Sequence, residues 1–273
     1  MPIVTYRYIQ GETLVHKLDP RVKLLMIGSF VISVSRFLDL RPLLPLLLFS
    51  LSIYLAARIP FKDVKTVWKY LTIFLLVITG INNLFFPVGL WGEELRPLFQ
   101  IGPLKVTLEG MFYSLAVVTR FLTVAMPAIL FIYTTDPSLF GVTFAKIGLP
   151  DKIAYAFDLA MRYVPTLIRN MESTINSQRA RGYEVDAVKG GVIHRVLRVV
   201  PLIVPVTIDS AVSTEEISDA MELRCFGVAK RRTWYYEIRM RKIDYIFVAI
   251  FLAMVITSII LSKTLFKGLW VPF

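Results

Sequence analysis

Residues 111–133 read MFYSLAVVTRFLTVAMPAILFIY, an apolar run of 23 residues interrupted by one charge, Arg120. A hydrocarbon core about 30 Å thick needs about 20 such residues in a helix, so this run is a transmembrane span. Its apolar residues are continuous rather than alternating, which selects a helix over a barrel strand. Four further runs lie on either side of it, at 22–35, 43–57, 67–86 and 245–261. The first two are short and only residues 36–42 part them, so they read as a tight helical hairpin whose turn carries Arg36, Asp39 and Arg41. The chain has 273 residues, 56% of them hydrophobic, and a mean hydropathy of +0.63. The expected fold class is all-α: a polytopic membrane protein with about five transmembrane helices. The first 21 residues are polar and basic, and no small-residue cleavage site follows the first run, so no removable signal peptide is expected.

Orientation follows from where the positive charge collects. Arg7, Lys17, Arg21 and Lys23 precede or open the first span, and Arg58, Lys62, Lys65 and Lys69 follow the second. Sixteen more Lys and Arg lie between residues 134 and 242. The loop between spans three and four, 87–110, has only Arg96 and Lys105 against Glu93, Glu94 and Glu109. Five spans place the three basic segments on one side, expected to be the cytoplasm of a multi-pass cell-membrane protein, with the N-terminus inside and the C-terminus outside. The external loop contains a strand-like Leu104-Lys105-Val106-Thr107, and Trp91 is expected at the interface. The net charge of +11 is then a property of cytoplasmic loops.

Three regions result: residues 1–135 with four spans, a cytoplasmic region at 136–240, and 241–273 with the last span. In the middle region Ile153, Phe157, Ala160, Val164, Leu167, Met171 and Ile175 recur at steps of three and four, one apolar stripe on an α-helix. The opposite face carries Asp158, Arg162, Arg169, Glu172, Asn176 and Arg179. Pro150 with Asp151 starts this helix and Gly182 stops it, while Pro165 bends it. At 1.5 Å per residue it runs roughly 46 Å. Gly190-Gly191 breaks the chain, and a second helix runs from Val192 to Arg224 with Pro201 and Pro205 in its apolar half. Ser210, Ala211, Ser213, Ser218 and Ala220 in its other half permit close approach, so the two helices are expected to cross. Lys230-Arg231-Arg232 and Trp234-Tyr235-Tyr236 then lead into the last span.

Chemistry is scarce. The chain has no G-x-x-x-x-G-K-[ST] phosphate loop, no H-E-x-x-H pair and no nucleophile–base–acid cluster. Cys225 is the single cysteine, which excludes an internal disulfide, and it is assigned no redox role. His16 and His194 stand far apart beside Lys17 and Arg195 and read as solvated or interfacial rather than as ligands. No cofactor, metal or catalytic residue is expected. Arg120 at mid-bilayer costs about 2.5–3.5 kcal/mol and should face protein or water, pairing with a carboxylate or with helix-end carbonyls.

The two insert helices end alike. One closes with Gln178-Arg179-Ala180-Arg181-Gly182-Tyr183, the other with Glu222-Leu223-Arg224-Cys225-Phe226-Gly227, and the two arginines are 43 residues apart. A cation at a helix C-terminus gains about 0.3–1 kcal/mol, a local reason for each. The alternative is that each guanidinium enters a groove on a partner and pairs with a carboxylate, which its planar fork suits.

Over nearly its whole length the chain resembles the transmembrane T component (EcfT/CbiQ-like) of energy-coupling factor (ECF) transporters. The resemblance is carried by His16-Lys17-Leu18-Asp19-Pro20-Arg21-Val22-Lys23, Thr134-Thr135-Asp136-Pro137 and Met161-Arg162-Tyr163-Val164-Pro165. Ala180-Arg181-Gly182 and Glu216-Ile217-Ser218-Asp219-Ala220-Met221-Glu222 complete it. It implies a non-catalytic subunit of an ABC importer for a vitamin or metal ion. Ala180, Arg181, Gly182, Leu223, Arg224 and Cys225 would dock two ABC ATPase subunits, and the amphipathic faces would cradle a small substrate-binding S component in the bilayer. The second signature departs from the family's pattern: Leu223-Arg224-Cys225 replaces Ala-Arg-Gly and removes the glycine-type helix end.

Two other readings compete. A self-sufficient secondary transporter or channel would carry an intramembrane carboxylate relay, and none accompanies Arg120. A nucleic-acid or anionic-lipid module would use the basic insert, but twelve Asp and Glu are mixed into residues 136–237, so no nucleic acid is expected.

Overall fold

The computed structural model describes residues 11, 13–37, 39–85, 97–101, 104–183, 192–228, 233–235 and 238–264. The expectations for Trp91, Gly190-Gly191, Lys230-Arg231-Arg232 and Tyr236, and for the side chain of His194, lie outside them. All five apolar runs are helices: α1 (Pro20–Ser35), α2 (Leu40–Ala56), α3 (Phe61–Phe85), α4 (Leu108–Thr134) and α8 (Lys242–Thr264). Between α4 and α8 come a 3-10 turn (Pro137–Leu139), α5 (Phe140–Ile147), α6 (Asp151–Ala180) and α7 (Val192–Leu223). The strand-like run at residues 104–107 is β2 (Leu104–Thr107), paired antiparallel with β1 (Pro97–Ile101) ahead of α4, in an otherwise all-α fold.

Segments within Phe61–Asn82, Gly110–Thr134 and Lys242–Thr264 are long and apolar enough to cross a membrane. With 16 and 17 residues, α1 and α2 reach only about 24–26 Å at 1.5 Å per residue, short of a core about 30 Å thick. Helices of that length are accommodated by local thinning or by flanking polar groups.

The described residues divide into two compact units, one within Asp136–Ile238 and the other within 11–135 and 239–264. In the membrane unit, α1 packs against α2, α4 and α8, and α4 against α2 and α3. Asp19 caps α1, its carboxylate accepting the Arg21 N–H at 2.9 Å with Pro20 at the first helical position. Steps of four then bury Val22, Met26, Phe30 and Val34, and the Phe30 ring meets Phe49 of α2 at 5.8 Å and Phe251 of α8 at 6.4 Å.

Side-chain bonds fix the directions of the helices. Lys23 Nζ donates to the Thr134 carbonyl at 2.8 Å, and Arg120 donates to the Phe37 carbonyl just past the end of α1. The start of α1 therefore lies beside the end of α4, and its end beside the middle of α4. The Tyr133 hydroxyl donates to the Asp63 carbonyl at 3.2 Å, and the Asp19 N–H donates to Asp244 Oδ1 at 3.1 Å. The starts of α1, α3 and α8 and the end of α4 thus share one end of the bundle. That is the alternation a five-span threading requires.

In the insert unit, Asp136 accepts the Ser138 N–H at 2.9 Å and repeats the Asp-Pro start of α1. α5 packs on the first turns of α6, with Phe144 5.0 Å from Phe157. Gly141 lies so close to α6 that a Cβ there would sit 2.6 Å from Asp158 Cβ and 3.0 Å from the Ala154 carbonyl oxygen. This packing decides which face of α6 is covered. Ala154 and Asp158 are buried, whereas Ile153, Phe157, Leu167 and Met171 of the apolar stripe are exposed. Asp158 stays satisfied through an ion pair to Arg162 at 2.9 Å, one turn on. Asn170 of α6 donates to Asp209 of α7 at 2.9 Å, through the middles of both helices.

Candidate functional site

The last turn of a helix leaves carbonyls without intrahelical partners, and a left-handed residue just past the end lets the chain fold back to satisfy them. α6 ends this way. Gly182, at φ +81°, donates to the Arg179 carbonyl at 2.9 Å, and Tyr183 donates to the Gln178 carbonyl at 3.0 Å. α7 ends the same way 43 residues later. Cys225, at φ +56°, donates to the Glu222 carbonyl at 2.8 Å, and Phe226 donates to the Met221 carbonyl at 2.9 Å. The expectation that Cys225 removes the glycine-type end is thus corrected. The same pair of bonds forms, with a non-glycine residue in the left-handed position at a cost of about 1–2 kcal/mol.

The matched backbones put Arg181 and Arg224 at the same cap position, each flanked by an aromatic two residues on. Ala180, Arg181, Gly182, Leu223, Arg224 and Cys225 are all exposed, Leu223 to 86%. Neither arginine has an ion pair among the described residues. An exposed Leu223 beside an exposed Arg224 gives an apolar rim and a charge at one tip.

The end of α7 is seated on the start of α6. The Phe226 ring lies tilted against that of Tyr155, 4.8 Å between centroids, and Gly227, at φ +90°, lies beside the Lys152 side chain. Val142, Asp158, Trp234 and Thr233 line the same cleft. Arg181 lies 26 residues beyond Tyr155 along α6, about 39 Å at 1.5 Å per residue before any bend at Pro165. The two arginine tips therefore stand near opposite ends of α6 rather than together. Sequence reasoning matched the tips but missed Tyr155, whose ring fixes the second one.

Arg120 is placed as the sequence requires. Its guanidinium reaches a helix-end carbonyl, that of Phe37, where the short α1 stops beside the middle of α4. His16 Nδ1 lies 2.7 Å from Thr13 Oγ1. Burial first, and the charge of Lys23 second, hold its imidazole below the ordinary value of 6.5, so it is neutral near pH 7. Lys23 and Asp244 join in one buried cluster that the sequence reading did not assemble.

The chain is similar to known proteins over most of its length. The sequence profile of the family described as "Cobalt transport protein", CbiQ, matches residues 11–235. The chain is 29% identical to the "Energy-coupling factor transporter transmembrane protein EcfT" of Thermosediminibacter oceani over 87% of its length and 89% of the relative's. With the protein of the same description from Bacillus subtilis it shares 31% identity over 85% of the chain and 88% of the relative. A "Putative ABC transporter ATP-binding protein" of Bifidobacterium longum is 29% identical over 88% of the chain, which covers 31% of that longer protein. A profile match that runs from the segment ahead of α1 to beyond the second arginine tip takes in both halves of the architecture, and the chain belongs to the CbiQ/EcfT family of transporter transmembrane proteins.

Proposed function

We propose that this chain is the energy-coupling membrane subunit of an ECF-type ABC importer for a vitamin or metal ion. In this reading Arg181 and Arg224 each dock into one of two ATPase subunits, and α6 and α7 carry ATP-driven motion to a small substrate-binding S component in the bilayer. The N-terminus is cytoplasmic and the C-terminus external.

The observation that carries the reading is the pair of identical helix ends. The helix dipole accounts for one cation at one end. It does not account for two long helices, of different sequence, presenting exposed arginines on the same backbone frame about 39 Å apart along α6. Two copies of one groove, one on each of two motor subunits, do account for it. The Bifidobacterium relative supports the choice of partner, because there a segment similar to this chain is part of a protein named for ATP binding. The exposed stripe of Ile153, Phe157, Leu167 and Met171 supports a second, apolar partner.

Truncating one side of a buried charged pair costs roughly 2–5 kcal/mol. Replacing both Arg181 and Arg224 with Glu should therefore weaken ATPase binding at least about thirtyfold, since each 1.4 kcal/mol is tenfold. The ATPases should no longer co-purify, while the protein remains in the membrane. Undiminished co-purification with the double variant would remove the docking role.

A further inference from the structure

One end of the membrane bundle holds a buried polar cluster with no part in docking. Lys23, in the first turn of α1, is 2% exposed. Its ammonium donates to the Thr134 carbonyl at 2.8 Å, to Thr134 Oγ1 at 3.0 Å and to the His16 carbonyl at 3.3 Å. Asp19, at the cap of the same helix, pairs with Arg21 at 3.1 Å and offers its N–H to Asp244 Oδ1. The other oxygen of Asp244 accepts the Arg241 N–H at 2.6 Å and caps α8. Asp19, Lys23, Asp244, Thr134 and Thr135 are all buried.

Such a cluster is a poor way to gain stability. Desolvating the charges offsets most of what their pairing returns, and apolar residues of similar volume hold helices together at least as well. What it does supply is a defined geometry, because the Lys23 ammonium and the Asp244 carboxylate are each held by partners fixed on other segments. Its members sit at two special points of the chain. Thr134 is the last residue of α4, two residues ahead of the insert unit at Asp136, and Asp244 is in the first turn of α8, six residues after that unit ends at Ile238. The first turn of α1 holds both flanks of the insert.

We propose that Lys23 and Asp19 are positioning residues for energy transmission: they fasten both attachment points of the insert to α1, so that displacement of α6 and α7 enters the membrane helices through α1. The inference rests on the coupling reading. In it, a motor pulling on the insert works against a joint that does not give, and α1, packed on α2, α4 and α8, passes the displacement to all three.

The test uses the full-length chain co-purified with its ATPases in lipid nanodiscs, read by hydrogen–deuterium exchange with and without ATP plus vanadate. Nucleotide should change exchange in α6, α7 and the first turns of α1. In Lys23→Gln the ATPases should still co-purify and α6 and α7 should still respond, but the α1 response should fall at least fivefold. Lys23→Arg, which keeps a charged donor, should retain at least half of it. If Lys23→Gln does not insert, Thr134→Val, which removes one acceptor and leaves the carbonyl, should reduce the α1 response about twofold. An unchanged α1 response in the variant measured, an Arg variant no better than Gln, or a wild-type α1 silent while α6 and α7 respond overturns the joint. Absence of ATPases from the wild-type preparation would instead overturn the coupling reading.

Discussion

Cys225 holds a left-handed backbone at φ +56° at the position where α6 has Gly182, and it does so because Phe226 is seated on Tyr155. The strain is local and removable. Cys225→Gly should raise stability by about 0.5–1 kcal/mol by relieving it, less the backbone entropy glycine brings. Cys225→Val, β-branched where φ is positive, should lower stability by more than about 1 kcal/mol. Thermal unfolding in detergent, followed by tryptophan fluorescence, measures both, and ATPase binding by Cys225→Gly should be unimpaired. Residue identity alone gave the two arginines and the helix-end role of Arg120, because a lone cation in an apolar run must find an acceptor. It did not give the left-handed cysteine, which depends on a contact between Phe226 and a ring 71 residues upstream of that phenylalanine. Nor did it give the Lys23 cluster, whose bond to Thr134 spans 111 residues.

At the scale of elements, the start and stop signals of α6 were legible: Pro150-Asp151 opens it and the left-handed Gly182 closes it. The buried face was not. A period of three and four says that a helix has two faces, and the usual expectation covers the apolar one. Here α5 covers Ala154 and Asp158 instead, leaving Ile153, Phe157, Leu167 and Met171 of the stripe exposed. The contact that makes this choice is the close approach of Gly141 to α6, which needs a residue without Cβ. Gly141→Ala would force a carbon to within 2.6 Å of Asp158 Cβ, and overpacking of that kind costs typically about 1–3 kcal/mol. We expect earlier proteolysis of α5 and α6 and weakened ATPase binding, with membrane insertion intact because the apolar runs are untouched. Proteolysis as rapid in wild type as in the variant would show that the α5–α6 contact does not hold the insert helices in place.

At the scale of the whole molecule, charge and number of spans determine what lies on each side of the membrane. The apolar runs were legible because bilayer thickness sets their length. Their alternation follows in the structure from the bonds that gather the starts of α1, α3 and α8 with the end of α4. Which side is which is an expectation, drawn from the excess of Lys and Arg around the insert. The single cysteine converts this into a measurement without an introduced probe, because Cys225 is exposed at the second arginine tip and forms no disulfide. A membrane-permeant maleimide should label it in intact cells, and a charged, impermeant maleimide should label it only after the membrane is opened. Moving the probe across the last span, by Cys225→Ala with Lys263→Cys, should reverse the pattern, since α8 carries the chain to the opposite face. Bound ATPases should slow labelling of Cys225, which adjoins Arg224, and leave position 263 unaffected. Impermeant labelling of Cys225 in sealed cells would place the arginine tips outside, beyond reach of any ATP-driven partner, and the charge-based orientation and the coupling role would both be lost.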